Sequence, residues 1–170
     1  GRADRVALPM ALDWHTQGCS PNRAHHVYTK GPWVIEMMSR FVGPADFDAA
    51  LALYLERHKD SLVTADDFVR AVFDATGRNL MPMVQQWVWS GGLPELVVQH
   101  EVVGQEVNLQ LEQSQVPSHT VPLFDCPLSV DLVTSSGRVR HELRFSERSH
   151  AWRLPFEGEL LNVLIDPEGA

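Results

Sequence analysis

Residues 87–104 read WVWSGGLPELVVQHEVVG, and the spacing of apolar residues changes inside them. Up to Val88, apolar side chains recur every three or four positions, the period of an amphipathic helix. Gly91-Gly92 stops that pattern. From Leu96 the chain is valine-rich, and past Gly104 it alternates apolar with polar residues, the period of a half-buried strand. Helices first and strands after, without interleaving, imply an α+β chain. The expected boundary falls near residue 94: a helical subdomain of about four helices over 1–94, then a small β-sandwich over 95–170.

Upstream of the boundary, residues 1–27 show no clear period and read as loop-like, with DWHTQGCSPNRAHH broken by Gly18 and Pro21. Gly31-Pro32 is expected to open the first helix, since a proline at the first helical position loses no intrahelical bond. Trp33, Met37, Met38 and Phe41 then form its expected apolar face. Gly43-Pro44 separates it from a second helix, whose expected face is Phe47, Leu51, Tyr54 and Leu55. Thr64 and Asp67 in TADD have the spacing of a capping box. Phe68, Val72 and Phe73 continue that third helix, and Gly77 closes it as a C-cap glycine would. A fourth helix over roughly 80–90 buries Leu80, Met83, Val84, Trp87 and Val88.

Downstream, LVVQHEVV, EVNLQLEQ, LSVDLV, RVRHELRF, HAWRLPF and LLNVLIDP read as six short strands set apart by turns. That rhythm is the pattern of a β-sandwich. No internal repeat or low-complexity tract interrupts it.

The chain has 170 residues, 44% of them hydrophobic, with net charge -8 and pI near 5.4. An acidic chain with no Lys/Arg cluster is a poor partner for nucleic acid or an anionic membrane. No apolar run approaches the roughly 18 residues of a membrane span. The opening GRADRVALPMAL lacks the apolar core of a signal peptide. Compartment is therefore left open, with a soluble cytoplasmic one favoured. The abrupt start raises the expectation that the chain is a piece of something larger. Cys19 and Cys126 make no metal-ligand pair and read as two unrelated thiols.

Chemistry-bearing motifs are sparse. A hydrolytic zinc centre needs three protein ligands and an open position. HExxH, which would place two histidines on one helical face beside a glutamate base, is absent. His25 and His26 are adjacent and point apart; His58, His100, His119, His141 and His150 are scattered. P-loop and G-x-S-x-G patterns are absent as well. Asp66-Asp67 reads as helix capping before acid–base chemistry, Met37-Met38 as core, and Glu36 as solvated or paired. Trp87 and Trp89, near the glycine pair, could stack a substrate ring; the favoured expectation is Trp87 in the core and Trp89 partly covering the junction with the sandwich. Tyr28 has two readings. Placed on a loop before a glycine, it can aim a neutral phenol donor at a developing oxyanion, or it can be a half-buried anchor for that loop. His25 and His26 either line the same cleft or lie on the loop surface.

VYTKGPWVIEMMSRFVGPADFDAALALYLERHKDSLVTADDFVRAVFDATGRNLMPMVQQWVWSGGLPELVV, residues 27–98, resembles the segment downstream of the zinc site in the aminopeptidase N family of zinc metallopeptidases, the gluzincins. The resemblance rests on features in fixed order. They are Tyr-x-Lys-Gly at Tyr28, Lys30 and Gly31, a Met- and Val-rich helix, VGPADFDAALALYLERH, TADDFVRAV, and the WVWSGGLPELVV close. VNLQLEQSQ, PLFDCPLSVDL and VLIDP resemble the small sandwich that follows the catalytic domain in that family. Many relatives carry a small residue where Pro32 stands here.

The resemblance implies the end of a thermolysin-like catalytic domain over 1–94 and its sandwich over 95–170. It implies zinc, peptide substrates, and further catalytic and N-terminal domains as partners in a full-length parent. HExxH, the third ligand and the strand that reads the substrate amino group match nothing here. The one catalytic position carried over is Tyr28, matching the tyrosine that hydrogen-bonds the oxyanion; no residue carries over as a metal or cofactor ligand. The isolated chain is therefore expected to be inactive and to bind no catalytic zinc. Two alternatives stand beside this one: a non-catalytic scaffold or interaction module of the same fold, and a sandwich that binds peptide by edge-strand addition.

Overall fold

A computed structural model describes Met10 and residues 24–167, with side chains from Tyr28 onward in the latter stretch. The chain divides into two compact units, Gly1–Gly92 and Leu93–Ala170. The first contains α1 (Ala24–Val42), α2 (Pro44–Arg57), α3 (Ala65–Thr76) and α4 (Met81–Trp87).

Helix α1 corrects the expected start. It begins at Ala24 and runs through Gly31 and Pro32, so residues 24–27 are helical and the proline lies inside the helix. The rest of the expected loop, except Met10, lies outside the described residues. An interior proline removes one bond, to the residue four positions back, and crowds that carbonyl, a cost that packing of the turns on either side has to offset. Here they pack through one row at spacing four: Lys30, Val34, Met38 and Val42 are all buried. This row replaces the expected one. Trp33 and Phe41 are 61% and 48% exposed, and only Met38 of the four expected core residues is fully buried.

Gly43, with φ of 104°, turns the chain directly into α2, where Pro44 takes a first-turn position. The buried positions of α2 are Phe47 and Ala50; Leu51 and Leu55, both expected in the core, are exposed. Aromatic contacts join α2 to α3: Phe68 meets Phe47 at 6.0 Å and Tyr54 at 5.4 Å, both edge-on. The capping box before α3 forms, with the Thr64 amide donating to Asp67 Oδ2 at 2.8 Å. Gly77 closes α3 in the left-handed conformation, φ 71°, and its N–H reaches the Phe73 carbonyl at 2.8 Å. Val69, Ala71 and Val72 are the buried residues of α3, while Phe73 is exposed against expectation. Leu80, Val84 and Trp87 form the buried face at α4.

The second unit holds β1 (Leu96–Val103), β2 (Glu106–Gln113), β3 (Cys126–Thr134), β4 (Gly137–Phe145), β5 (Ser149–Pro155) and β6 (Leu160–Ile165). They pair antiparallel into two three-stranded sheets, β1-β2-β5 and β4-β3-β6. The alternation read from the sequence appears as two buried rows, Val107, Leu109 and Leu111 in β2 and Leu128, Val130 and Leu132 in β3. Together these sheets make the small sandwich. Buried Gln113 completes its polar bonding inside: Nε2 donates to the carbonyls of Phe124 and Glu147, each at 2.9 Å, and Oε1 accepts from the Phe124 amide at 2.8 Å. Such full satisfaction is what permits a polar side chain in a core.

Candidate active-site helix

The candidate site is built on the first turns of α1. Tyr28 stands on this helix, not on a loop before it, and its side chain is 76% exposed. The phenol is thus presented to the outside by a regular element, and its hydroxyl can donate to an incoming acceptor.

Two positions on, Lys30 does the opposite. It is 8% exposed. Its Nζ donates to the Gly92 carbonyl at 3.2 Å and lies 5.6 Å from the centre of the Trp87 ring. Burial lowers its pKa from 10.5 to about 8, because a desolvated ammonium is penalised relative to the neutral amine. Gly92 adopts φ of 81°, a conformation costly for other residues, and this lets the chain turn its carbonyl to the lysine. Helical residues advance about 100° each, so positions 28 and 30 face nearly opposite ways. Lys30 inward and Tyr28 outward are two consequences of one helix orientation.

Pro32 contributes a second local effect. It has no N–H to offer the carbonyl of Tyr28, four residues back, so the turn bearing the phenol is joined to the rest of α1 by one helical bond fewer. A Cβ added to Gly31 would meet nothing within 4 Å. Close packing against described residues therefore does not require glycine there.

The remaining sequence candidates separate from this helix face. The side chains of His25 and His26 lie outside the described residues, as does Cys19. Trp87 is buried beneath Lys30, as a core residue, whereas Trp89 is 48% exposed. Met38 is buried in the helix core. Glu36 pairs with Arg40 at 2.9 Å, one turn along α1. Asp67 is held by Thr64, whose backbone and side-chain hydrogen bonds depress its pKa. His150 stacks on Trp152 at 5.2 Å, and its Nε2 accepts from the amides of Ser146 and Glu147. Among the described residues, no three His, Cys, Asp or Glu side chains are grouped to hold a metal ion.

Sequence reasoning missed one constellation, in the second unit. Asp131 is fully buried and accepts from Arg138 Nε at 2.6 Å and Arg140 Nε at 2.8 Å. These hydrogen bonds, that from Arg140 foremost, lower its pKa to about 2. The available signal was an aspartate between Val130 and Leu132 in a strand, with arginines spaced by two on the next. On the β1-β2-β5 sheet, a shallow depression of about 420 Å³ is lined by polar groups including Gln99, Asn108, Gln110 and Arg153.

Comparison with known proteins places these features. Residues 20–87 match the model of the peptidase family M1 domain. Aminopeptidase N of Escherichia coli (strain K12) is 32% identical over 119 residues, which are 66% of this chain and 13% of that protein. Leucyl aminopeptidase of Saccharolobus solfataricus is 25% identical over 169 residues, 96% of this chain and 20% of that one. The crystal structure of Legionella pneumophila aminopeptidase A in complex with aspartic acid aligns with a TM-score of 0.55 at 20% identity, over 78% of this chain and 15% of that chain. The chain thus spans no more than a fifth of the length of these relatives. Tyr28, Lys30, Pro32 and Trp87 all fall inside the matched residues 20–87.

Proposed function

From the premise that the chain belongs to the M1 family of zinc aminopeptidases, we propose that it is part of an enzyme removing N-terminal residues from peptides, and that Tyr28 is its contribution to catalysis. In this reading residues 1–94 end a thermolysin-like catalytic domain and residues 95–170 form the sandwich behind it. The zinc ligands and the group that reads the substrate amine come from other parts of the polypeptide. Zinc, when bound there, supplies a Lewis acid and an activated water.

What this chain adds is a neutral phenol. As a peptide carbonyl becomes tetrahedral its oxygen gains charge, and a hydroxyl already aimed at that oxygen bonds it more strongly than it bonded the ground-state carbonyl. Charge stabilisation of this kind is worth about 2.7–4 kcal/mol of barrier for a single donor. The observation that carries the reading is that Tyr28 lies inside the matched segment with its ring 76% exposed. The sandwich, in the same reading, carries no chemistry.

The test is product analysis with the longer polypeptide that holds the ligand set. A free N-terminal amino acid and a peptide shorter by one residue should appear, and N-acetylation of the substrate should abolish both. The 170-residue chain alone, loaded with zinc, should release nothing from aminoacyl anilides. Turnover by the isolated chain, or internal cleavage by the longer one, contradicts the proposal.

A further inference from the structure

Lys30 is a buried charge that the proposed chemistry of Tyr28 does not use directly. Burying a lysine is unfavourable, and the segment it packs against, residues 81–92, MPMVQQWVWSGG, offers no counter-ion; it meets the ammonium with the Trp87 ring and the Gly92 carbonyl. A methionine, nearly as long and unbranched, would fill most of the same space without desolvating an ammonium. What a lysine adds is a directional bond, and that bond goes to the Gly92 carbonyl at 3.2 Å. It lies in the turn of α1 that Pro32 deprives of a helical hydrogen bond, where helix continuity alone holds Tyr28 less firmly.

We infer that Lys30 is a positioning residue for Tyr28: its bond to the Gly92 carbonyl ties the weakened turn of α1 down and so fixes where the phenol projects. The inference rests on the reading of Tyr28 as the oxyanion donor. Lys30 touches neither substrate nor metal in this scheme. It acts by setting the rotation of α1, with its own side chain seated inward and that of Tyr28 turned outward.

The test is a double-mutant cycle in the zinc-bearing polypeptide, using Lys30→Met, Tyr28→Phe and both together, each at equal zinc content. Lys30→Met should lower kcat about tenfold with little change in KM, and should cause no further loss in the Tyr28→Phe background, because coupled residues are non-additive. Lys30→Arg, which keeps a cation and N–H donors, should recover part of the loss, and it replaces Lys30→Met in the cycle if that variant does not fold. A second readout needs no turnover. In the 170-residue chain, Lys30→Met should speed amide hydrogen exchange at residues 28–31 about tenfold relative to α3, as expected when a local clamp opens. Losses that multiply independently, or unchanged exchange at residues 28–31, overturn the inference while leaving Tyr28 in place. An unchanged kcat in Tyr28→Phe removes the oxyanion reading, and this inference with it.

Discussion

Tyr28 and Lys30 sit two positions apart and meet opposite environments, and the contrast gives Lys30 a measurable titration. Its folded pKa is about 8 against an ordinary 10.5. Between those values the unfolded chain binds more protons than the folded one, so stability rises with pH across that window. Lys30→Met has no such group. The parent-minus-variant difference in unfolding free energy should therefore climb between pH 8 and 10, and a flat difference contradicts the burial of the amine. Neither side chain's environment was legible from its identity. A lysine reads as surface, and only its place in the 30, 34, 38, 42 row betrays burial. A tyrosine just ahead of Gly-Pro reads from spacing as an anchor sooner than as a donor, and only the resemblance favoured the donor.

At the scale of elements, the capping box of α3 was legible because its chemistry is local. Thr64→Ala removes the N-cap side chain and should destabilise the helical unit by about 1 kcal/mol, measured by urea unfolding; no change would mean the cap is idle. The start of α1 was not legible. Gly31-Pro32 is compatible with a first helical turn or with the interior of a longer helix, and the structure has the latter, with Val34, Met38 and Val42 buried along it. Large residues were also misassigned to cores: Trp33, Phe41, Leu55 and Phe73 are exposed, while Ala50 and Ala71, too small to weigh in a hydrophobic pattern, are fully buried. In the sandwich, β3 and β4 are joined by Asp131 and its two arginines. Hydrogen bonding from Arg140 and Arg138 depresses the carboxyl to about 2 from 3.8, so its contribution is complete above pH 3.8 and fades as pH falls toward 2. Asp131→Asn should flatten the acid limb of the stability profile in that interval, and an unaltered limb would show that the arginines do not hold the charge.

For the whole molecule, the order of helices then antiparallel strands was legible because the apolar period changes once, at the glycines after α4. Strand alternation is clearest in β2, where a period-two pattern admits one register against a buried face; β1 and β6 do not show it, and Val139 of β4 is exposed. How β5 joins β1-β2 while β6 joins β3-β4 was not legible, because pairing across a crossover depends on partners distant in sequence. The candidate site was legible only as one residue, Tyr28, because HExxH matches nothing in this sequence. The most direct measurement of the central claim is kcat for Tyr28→Phe in the zinc-bearing polypeptide, at unchanged zinc content. A fall of about a hundred- to a thousand-fold with KM little altered is expected. An undiminished kcat would contradict it.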